Sequence, residues 1–186
     1  MLLALFVALP VSCVKTSDPI DNGTDISNHT TNFAPTDGEA ISGVLTLTVS
    51  TAPYGGNYAP KNIVALWVED NEGKFVKTLG VHAAKRINYL GAWKTSQGST
   101  QTDGDTGATR SNHLTPLTVI WDGTYADDVK KMKKDIYRLR GELTDRNGNG
   151  ATFSEEIDLS AGDDVIDTTT PTSVFTTISA VFTAAP

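Results

Sequence analysis

The sequence predicts an all-β protein, an antiparallel β-sandwich preceded by a disordered N-terminal tether. Short runs of alternating apolar and polar residues predict the strands, clusters of Gly, Asn, Asp and Pro between them predict turns, and the chain lacks a long amphipathic helical pattern. With 186 residues, 39% of them hydrophobic, the chain is long and apolar enough for one domain with a packed core and tails.

The N-terminus has the character of an export signal. Residues 1–12 are uncharged and mostly apolar, and they stop well short of the ~20 residues that a membrane-spanning helix needs. An apolar run that ends in Ser12 and Cys13 resembles a bacterial lipoprotein signal, in which the cysteine is lipidated. We therefore expect residues 1–13 to be the signal and the mature protein to be extracytoplasmic and membrane-anchored. The alternative is a buried thiol on an N-terminal strand.

Residues 14–40 read as a flexible linker, because they contain one positive and five negative charges and few large apolar groups. The formal net charge of −7 argues against nucleic acid as a partner, since no basic surplus exists to displace counterions from phosphates. A single cysteine excludes an internal disulfide framework and a cysteine-based zinc cluster.

Strands are predicted where apolar and polar residues alternate or where β-branched and aromatic residues cluster. Turn residues at 69–74 and 145–150 join two pairs of them as hairpins. This pattern predicts an immunoglobulin-like sandwich over residues 41–161, followed by a Thr-rich tail over 162–186 that can add a last strand. The predicted strands are Val44–Val49, Ile63–Val68, Phe75–Leu79, Leu117–Trp121, Ile136–Leu143, Ala151–Leu159 and Val174–Phe182.

Three segments between the strands differ in character. Arg86–Trp93 is predicted as a short helix or an irregular turn, and residues 95–113, which contain no large apolar side chain, as an exposed loop. A loop of that length is unusual in a compact domain and is often functional. The charged segment Tyr125–Lys134 is predicted as a solvated face with some helical character.

The long loop contains the most informative motif, Asp103-Gly-Asp-Thr-Gly-Ala-Thr109. Gly107 and Ala108 are small, so the Thr109 hydroxyl is presented without steric cover and another protein's active site can close around it. The Asp103 carboxylate can bind a metal ion or orient the loop.

The motif resembles the Asp-x-x-(Ser/Thr)-Gly-Ala-(Ser/Thr) pattern that bacterial FAD:protein FMN transferases recognise, and Asp103, Thr106, Gly107, Ala108 and Thr109 fill its constrained positions. Those enzymes use FAD and a divalent cation to attach FMN to the last hydroxyl as a phosphoester. The segments Ala59–Leu79, Arg86–Trp93, Thr106–Arg110 and Val119–Gly123 resemble the bacterial periplasmic family called domain of unknown function 2271, over roughly residues 40–160.

That family is thought to include substrates of the FMN transferase, near membrane redox systems. The resemblance implies a membrane-tethered flavoprotein that carries covalent FMN on Thr109 and relays electrons between membrane redox proteins, a carrier more than an enzyme. It implies access through Gly107 and Ala108 and recognition through Asp103 and Thr106. Tyr89 and Trp93, near the loop in sequence, are candidates for stacking on the flavin ring, with a structural role as the alternative.

Alternatives of other classes stay open. Asp145, Asn147 and Asn149, with Glu156 in the twelfth place, match the EF-hand calcium formula, but β-rich runs flank them where that loop needs helices. A cofactor-free immunoglobulin-like binding or adhesion module, with or without calcium, is the second hypothesis. A glycan-binding lipoprotein, suggested by Tyr54 and Tyr58, is the third. The histidines are scattered, with no pair at ligand spacing.

Overall fold

The computed structural model describes residues 38–100, 104–160, 165–166 and 172–186. Cys13, Asp103, the predicted signal and most of the predicted linker lie outside the described residues. A short 3₁₀ helix, Ile87–Tyr89, and one α-helix, α1 (Gly91–Gln97), accompany the strands. The strands are β1 (Gly43–Thr51), β2 (Ile63–Asp70), β3 (Phe75–His82), β4 (Asp105–Gly107), β5 (Leu117–Trp121), β6 (Ile136–Thr144), β7 (Ala151–Asp158), β8 (Val165–Ile166) and β9 (Phe175–Ala184).

The strands form two sheets. One has the order β5-β1-β9-β8 and is antiparallel throughout, while the other has the order β4-β3-β2-β6-β7. The two predicted hairpins, β2–β3 and β6–β7, are confirmed as antiparallel pairs. The prediction of purely antiparallel pairing is wrong at one position, because β4 runs parallel to β3.

A common core lies between the two sheets, so the coarse prediction of a mostly β, two-sheet protein is confirmed. Leu45 and Leu47 of β1 and Val64 and Leu66 of β2 belong to one buried cluster. Two edge-to-face aromatic pairs join the sheets, Trp121 with Tyr137 at 5.1 Å between ring centroids and Phe153 with Phe175 at 4.8 Å. Alternate residues of β1 are buried, as period-two patterning requires.

A second, smaller core covers the other face of β2, which is why that strand is buried on both sides. Ile63, Ala65 and Trp67 pack there against Leu90 and Trp93 of the segment that contains α1. The prediction of a short helix or irregular turn at 86–93 is therefore confirmed in kind. The prediction of a loop over residues 95–113 is wrong in two places. At its start α1 continues to Gln97, and residues 105–107 form the short strand β4.

The C-terminal strand lies inside its sheet. β9 pairs with β1 over the full length of β1 and pairs with β8 on its other side. The last strand that the sequence allowed is therefore present, with Phe175, Ile178 and Phe182 in the core.

The segment 125–134 forms turns and isolated bridges and contains no helix, so its predicted helical character is wrong. Asp127 caps one of these turns by accepting the backbone N–H groups of Val129 and Lys130, which favours a turn over a helix. Among the described residues, no helix is long and apolar enough to cross a membrane.

Candidate functional site

The motif loop lies at the end of the five-stranded sheet, on edge strand β4. Residues 105–107 pair with residues 80–82 at the end of β3. Two glycines allow the close approach, because a Cβ on Gly104 would lie 2.2 Å from the Thr78 carbonyl oxygen and one on Gly107 would lie 2.3 Å from His82 Nδ1. The glycine before Ala108 therefore packs the loop against β3, in addition to keeping the region near Thr109 free of side chains.

Thr109 lies two residues after the end of this strand and is half-buried, while Thr106 and Ala108 are exposed. The Thr109 Oγ1 atom accepts a hydrogen bond of 3.3 Å from the backbone N–H of Ala84. That bond orients the oxygen and leaves the hydroxyl proton available to a base. The arrangement suits an accessible acceptor hydroxyl held in one place.

The chain after Thr109 is tied to Asn62, the residue just before β2. Arg110 and Asn62 exchange two backbone hydrogen bonds of 3.0 Å each. The guanidinium of Arg110 donates to Thr51 Oγ1 and to the Thr115 carbonyl. Burial lowers the pKa of Arg110 from its usual value. The chain is thus held on both sides of Thr109, by the pairing of β4 with β3 before it and by the Arg110–Asn62 bridge after it.

His113 closes this part of the loop. Its Nδ1 atom lies 2.9 Å from Thr51 Oγ1, and its Nε2 atom lies 3.3 Å from Asn62 Nδ2. Burial and, next, the positive charge of Arg110 lower the pKa of His113, while Asp145 opposes them. The lowered pKa means that the folded protein favours the neutral ring more than the unfolded chain does.

We expect the titration of His113 to lower the free energy of unfolding as the pH falls. Because the folded pKa of His113 lies below the unfolded pKa of about 6.5, the unfolded chain takes up the proton first. The contribution of His113 to the free energy of unfolding is then fully present above the unfolded pKa. It is lost as the pH falls through the unfolded pKa towards the pKa of the folded state. Thermal melts between about pH 7.5 and pH 5.5 should show a smaller drop in melting temperature for His113→Gln than for the wild type; equal drops would contradict the assignment.

Two tyrosines of the 52–62 loop stack with arginines at this end of the fold. The Arg86 guanidinium lies over the Tyr58 ring at 4.1 Å, and that of Arg146 over the Tyr54 ring at 4.3 Å. Tyr58 is 40% exposed and its hydroxyl accepts a hydrogen bond from Asn147. The two tyrosines of the glycan hypothesis are therefore both engaged by arginine side chains.

The residues of the calcium formula are not brought together. Asp145 is fully buried, and its carboxylate accepts the backbone N–H of Tyr54 at 2.9 Å and of Gly56 at 2.7 Å. Glu156 lies on β7 beside Arg138, with 3.6 Å between the Arg138 Nε and Glu156 Oε1 atoms. Within the described part of the chain, no group of three or more His, Cys, Asp or Glu side chains is placed to hold a metal ion.

The aromatic residues near the motif in sequence play different roles. Trp93 is 1% exposed, its indole N–H donates to Thr78 Oγ1, and it packs in the second core. This placement matches the structural alternative. Tyr89 is 37% exposed and lies at the surface. Trp67 and Trp121 are buried, as the sequence predicts.

The sequence did not reveal a cleft of about 1100 Å³ beside α1, on the outer face of the five-stranded sheet. Glu69 organises it by accepting hydrogen bonds from Trp67, Ser96 and Arg140 at 2.9, 2.6 and 3.1 Å. Arg140 Nε and Gln97 Oε1 are buried without a hydrogen-bond partner in the described structure. The alternating polar positions 138, 140 and 142 on β6 are the signal that identifies this face.

The fold and this site define a mostly β domain that presents a threonine just after a glycine-containing edge strand. Residues 44–173, more than half of the chain, match the model of a family described as a predicted periplasmic protein, domain of unknown function 2271, and the chain belongs to that family. The family description supports an extracytoplasmic location. Nothing matches the chain among curated proteins or among solved structures.

Proposed function

We propose that this protein is an extracytoplasmic flavoprotein that carries FMN as a phosphoester on Thr109 and relays electrons between membrane redox partners. The observation that carries the proposal is the position of Thr109, whose hydroxyl is held by Ala84 N–H directly after exposed Ala108 and a closely packed Gly107. The family match supports the compartment in which an FMN transferase acts.

The residues present fit an attached nucleotide. Small residues precede Thr109, so the transferase can reach the hydroxyl, and a guanidinium with two unpartnered terminal nitrogens, Arg86, lies on the neighbouring segment. Bound there, FMN supplies reversible one- and two-electron redox chemistry, and the protein supplies its position and electrostatic surroundings. Thr106 and Asp103 are proposed as recognition residues for the transferase, and Cys13 as the lipid anchor.

The proposed attachment is a phosphoryl transfer from FAD to the Thr109 hydroxyl. The Thr109 oxygen attacks the phosphorus on the FMN side of the FAD pyrophosphate, and the bond from that phosphorus to the bridging oxygen breaks. AMP leaves with the bonding electrons, and the hydroxyl proton passes to a base of the transferase. The divalent cation of that enzyme neutralises charge on the phosphates, so the acceptor protein needs no metal site of its own.

The test is the intact mass of the protein after co-expression with an active FMN transferase and FAD. We expect a mass increase equal to one FMN minus water, together with flavin fluorescence that survives denaturation. An unmodified mass, obtained while a known acceptor in the same cells is modified, would overturn the proposal. Material from the native host would report lipid on Cys13 in the same measurement.

The cleft favours a second candidate, a cofactor-free binding or adhesion module of immunoglobulin-like architecture. Its floor joins Arg138, Arg140 and Glu142 with the buried Glu69 network, which is a polar surface suited to a ligand with both donors and acceptors. The two facing sheets support the immunoglobulin-like assignment, which stays part of this proposal. Unchanged binding partners after removal of all flavin would favour this candidate.

A further inference from the structure

Arg86 has a feature that no other arginine described in the structure shares: both of its terminal guanidinium nitrogens are shielded from solvent and have no hydrogen-bond partner. A guanidinium stays charged at every physiological pH, so burying it without an anion is costly. The stack on Tyr58 at 4.1 Å offsets part of that cost and fixes the plane of the group. The remaining N–H donors suit an anion with two oxygens in one plane.

Two independent connections link the segment that contains Arg86 to the segment that contains Thr109. The backbone N–H of Ala84, two residues before Arg86, donates to Thr109 Oγ1 at 3.3 Å. From the other side, Arg110 is paired with Asn62, which lies in the same loop as Tyr58. The partners of the Arg86–Tyr58 stack therefore belong to the two segments that hold the Thr109 region.

The charges around this position also favour an anion. The loops that contain Tyr58, Ala84 and Thr109, together with the 145–150 turn, carry Lys61, Lys85, Arg110 and Arg146 besides Arg86, against the acidic residues Asp145 and, on β4, Asp105. This local surplus of positive charge contrasts with the formal net charge of −7 of the whole chain. The carboxylate of Asp145 is buried and already bound by two backbone N–H groups. A local excess of positive charge raises the local concentration of anions and stabilises one that is bound.

We propose that Arg86 binds the phosphate of the nucleotide attached at Thr109. This inference rests on the proposed function and adds the residue that holds the cofactor's charge. A phosphodiester carries one negative charge on two non-bridging oxygens, which match the two unpartnered nitrogens of Arg86 in a bidentate pair. Arg86 is a binding residue in this scheme, and it keeps the attached nucleotide in one orientation.

The chain offers a matched control. Arg146 stacks on Tyr54 in the same manner, at 4.3 Å, but its guanidinium nitrogens are not among the buried unpartnered atoms. The experiment compares wild type, Arg86→Gln, Arg86→Lys and Arg146→Gln, each prepared in flavinylated and unmodified form. The readouts are the melting temperature and the fluorescence anisotropy of the flavin.

In the wild type and in Arg146→Gln, we expect flavinylation to raise the melting temperature by about 3 to 8 °C. In Arg86→Gln we expect the melting temperature to rise by less than about 1 °C and the flavin anisotropy to be lower. Arg86→Lys should be intermediate, because lysine keeps the positive charge but lacks the planar guanidinium that can bind two oxygens at once. The unmodified Arg86→Gln protein should melt no lower than the unmodified wild type, since an unpartnered buried charge has been removed. A purely structural role for Arg86 would lower that melting temperature instead.

An equal rise in wild type and Arg86→Gln would overturn the phosphate assignment and leave the proposed function intact. A wild type that takes up no flavin would instead overturn the proposed function. The anion site is then tested on unmodified protein with inorganic phosphate against chloride at equal ionic strength. Stabilisation by phosphate in the wild type and Arg146→Gln, lost in Arg86→Gln, supports the site. No difference between the variants overturns it.

Discussion

Thr109→Ala should carry no flavin at all after co-expression with an active FMN transferase, while Thr109→Ser should carry as much as the wild type. The reason is that only an oxygen nucleophile at this position can take the phosphoryl group, and serine keeps that oxygen. Both variants should fold. The side chain of Thr109 makes one long hydrogen bond, so its loss costs about 1 kcal/mol or less. The measurement is in-gel flavin fluorescence of denatured protein, normalised to protein mass.

Thr115→Ala is the matched control, because Thr115 is an exposed threonine six positions further along the same part of the chain. It should keep full fluorescence. Flavin on the Thr109→Ala protein would show that FMN is attached to another residue, which peptide mapping of the fluorescent fragment would identify. Loss of flavin from Thr115→Ala as well would show that the loop must keep its conformation, so the comparison separates chemistry from folding.

Most of the sheet structure could be predicted because it rests on local patterns. Period-two alternation in β1 and the Asn- and Gly-containing turn before β3 are readable over six to nine residues, and each predicted strand is present. In the first hairpin, Asp70 Oδ1 accepts the N–H groups of Glu72 and Lys74, and Gly73 has a φ of +81°. These are short-range effects, which a single sequence contains.

β4 and the continuation of α1 to Gln97 could not be predicted, because their stability comes from distant residues. β4 has three residues without a large apolar side chain, and it forms because Gly104 and Gly107 let the chain approach Thr78 and His82. α1 has one buried residue, Trp93, and so shows no helical period. It is held instead by contacts such as the 3.0 Å hydrogen bond from Trp93 N–H to Glu142 on β6.

The candidate site likewise combines residues that the sequence identifies with residues that only the structure brings together. The motif that ends at Thr109 could be read from the sequence because its residues are contiguous. Arg86 and its stacking partner Tyr58 come from separate loops, and neither has a sequence signal that links it to Thr109. The packing role of Gly107 was also not evident, since the residue it approaches, His82, lies on another strand.

Among these variants, Asp145→Ala should lose the most stability, about 3 kcal/mol in the free energy of unfolding. Asp145 is 0% exposed, and its two oxygens each accept a backbone N–H, from Tyr54 and from Gly56. Without the carboxylate, both N–H groups lose a charged acceptor in a buried position. Urea denaturation followed by tryptophan fluorescence measures the change.

Asp127→Ala is the matched control, because Asp127 also accepts two backbone N–H groups but lies in an exposed turn, where water replaces the lost acceptor. It should cost much less than Asp145→Ala. The same urea denaturation with and without a chelator addresses the calcium hypothesis. If Asp145 acts through backbone amides, chelator changes neither protein. The contrary result is that chelator destabilises the wild type by as much as the Asp145→Ala substitution does without chelator. That result would show that Asp145 is a calcium ligand and that the 52–62 loop rearranges around the ion.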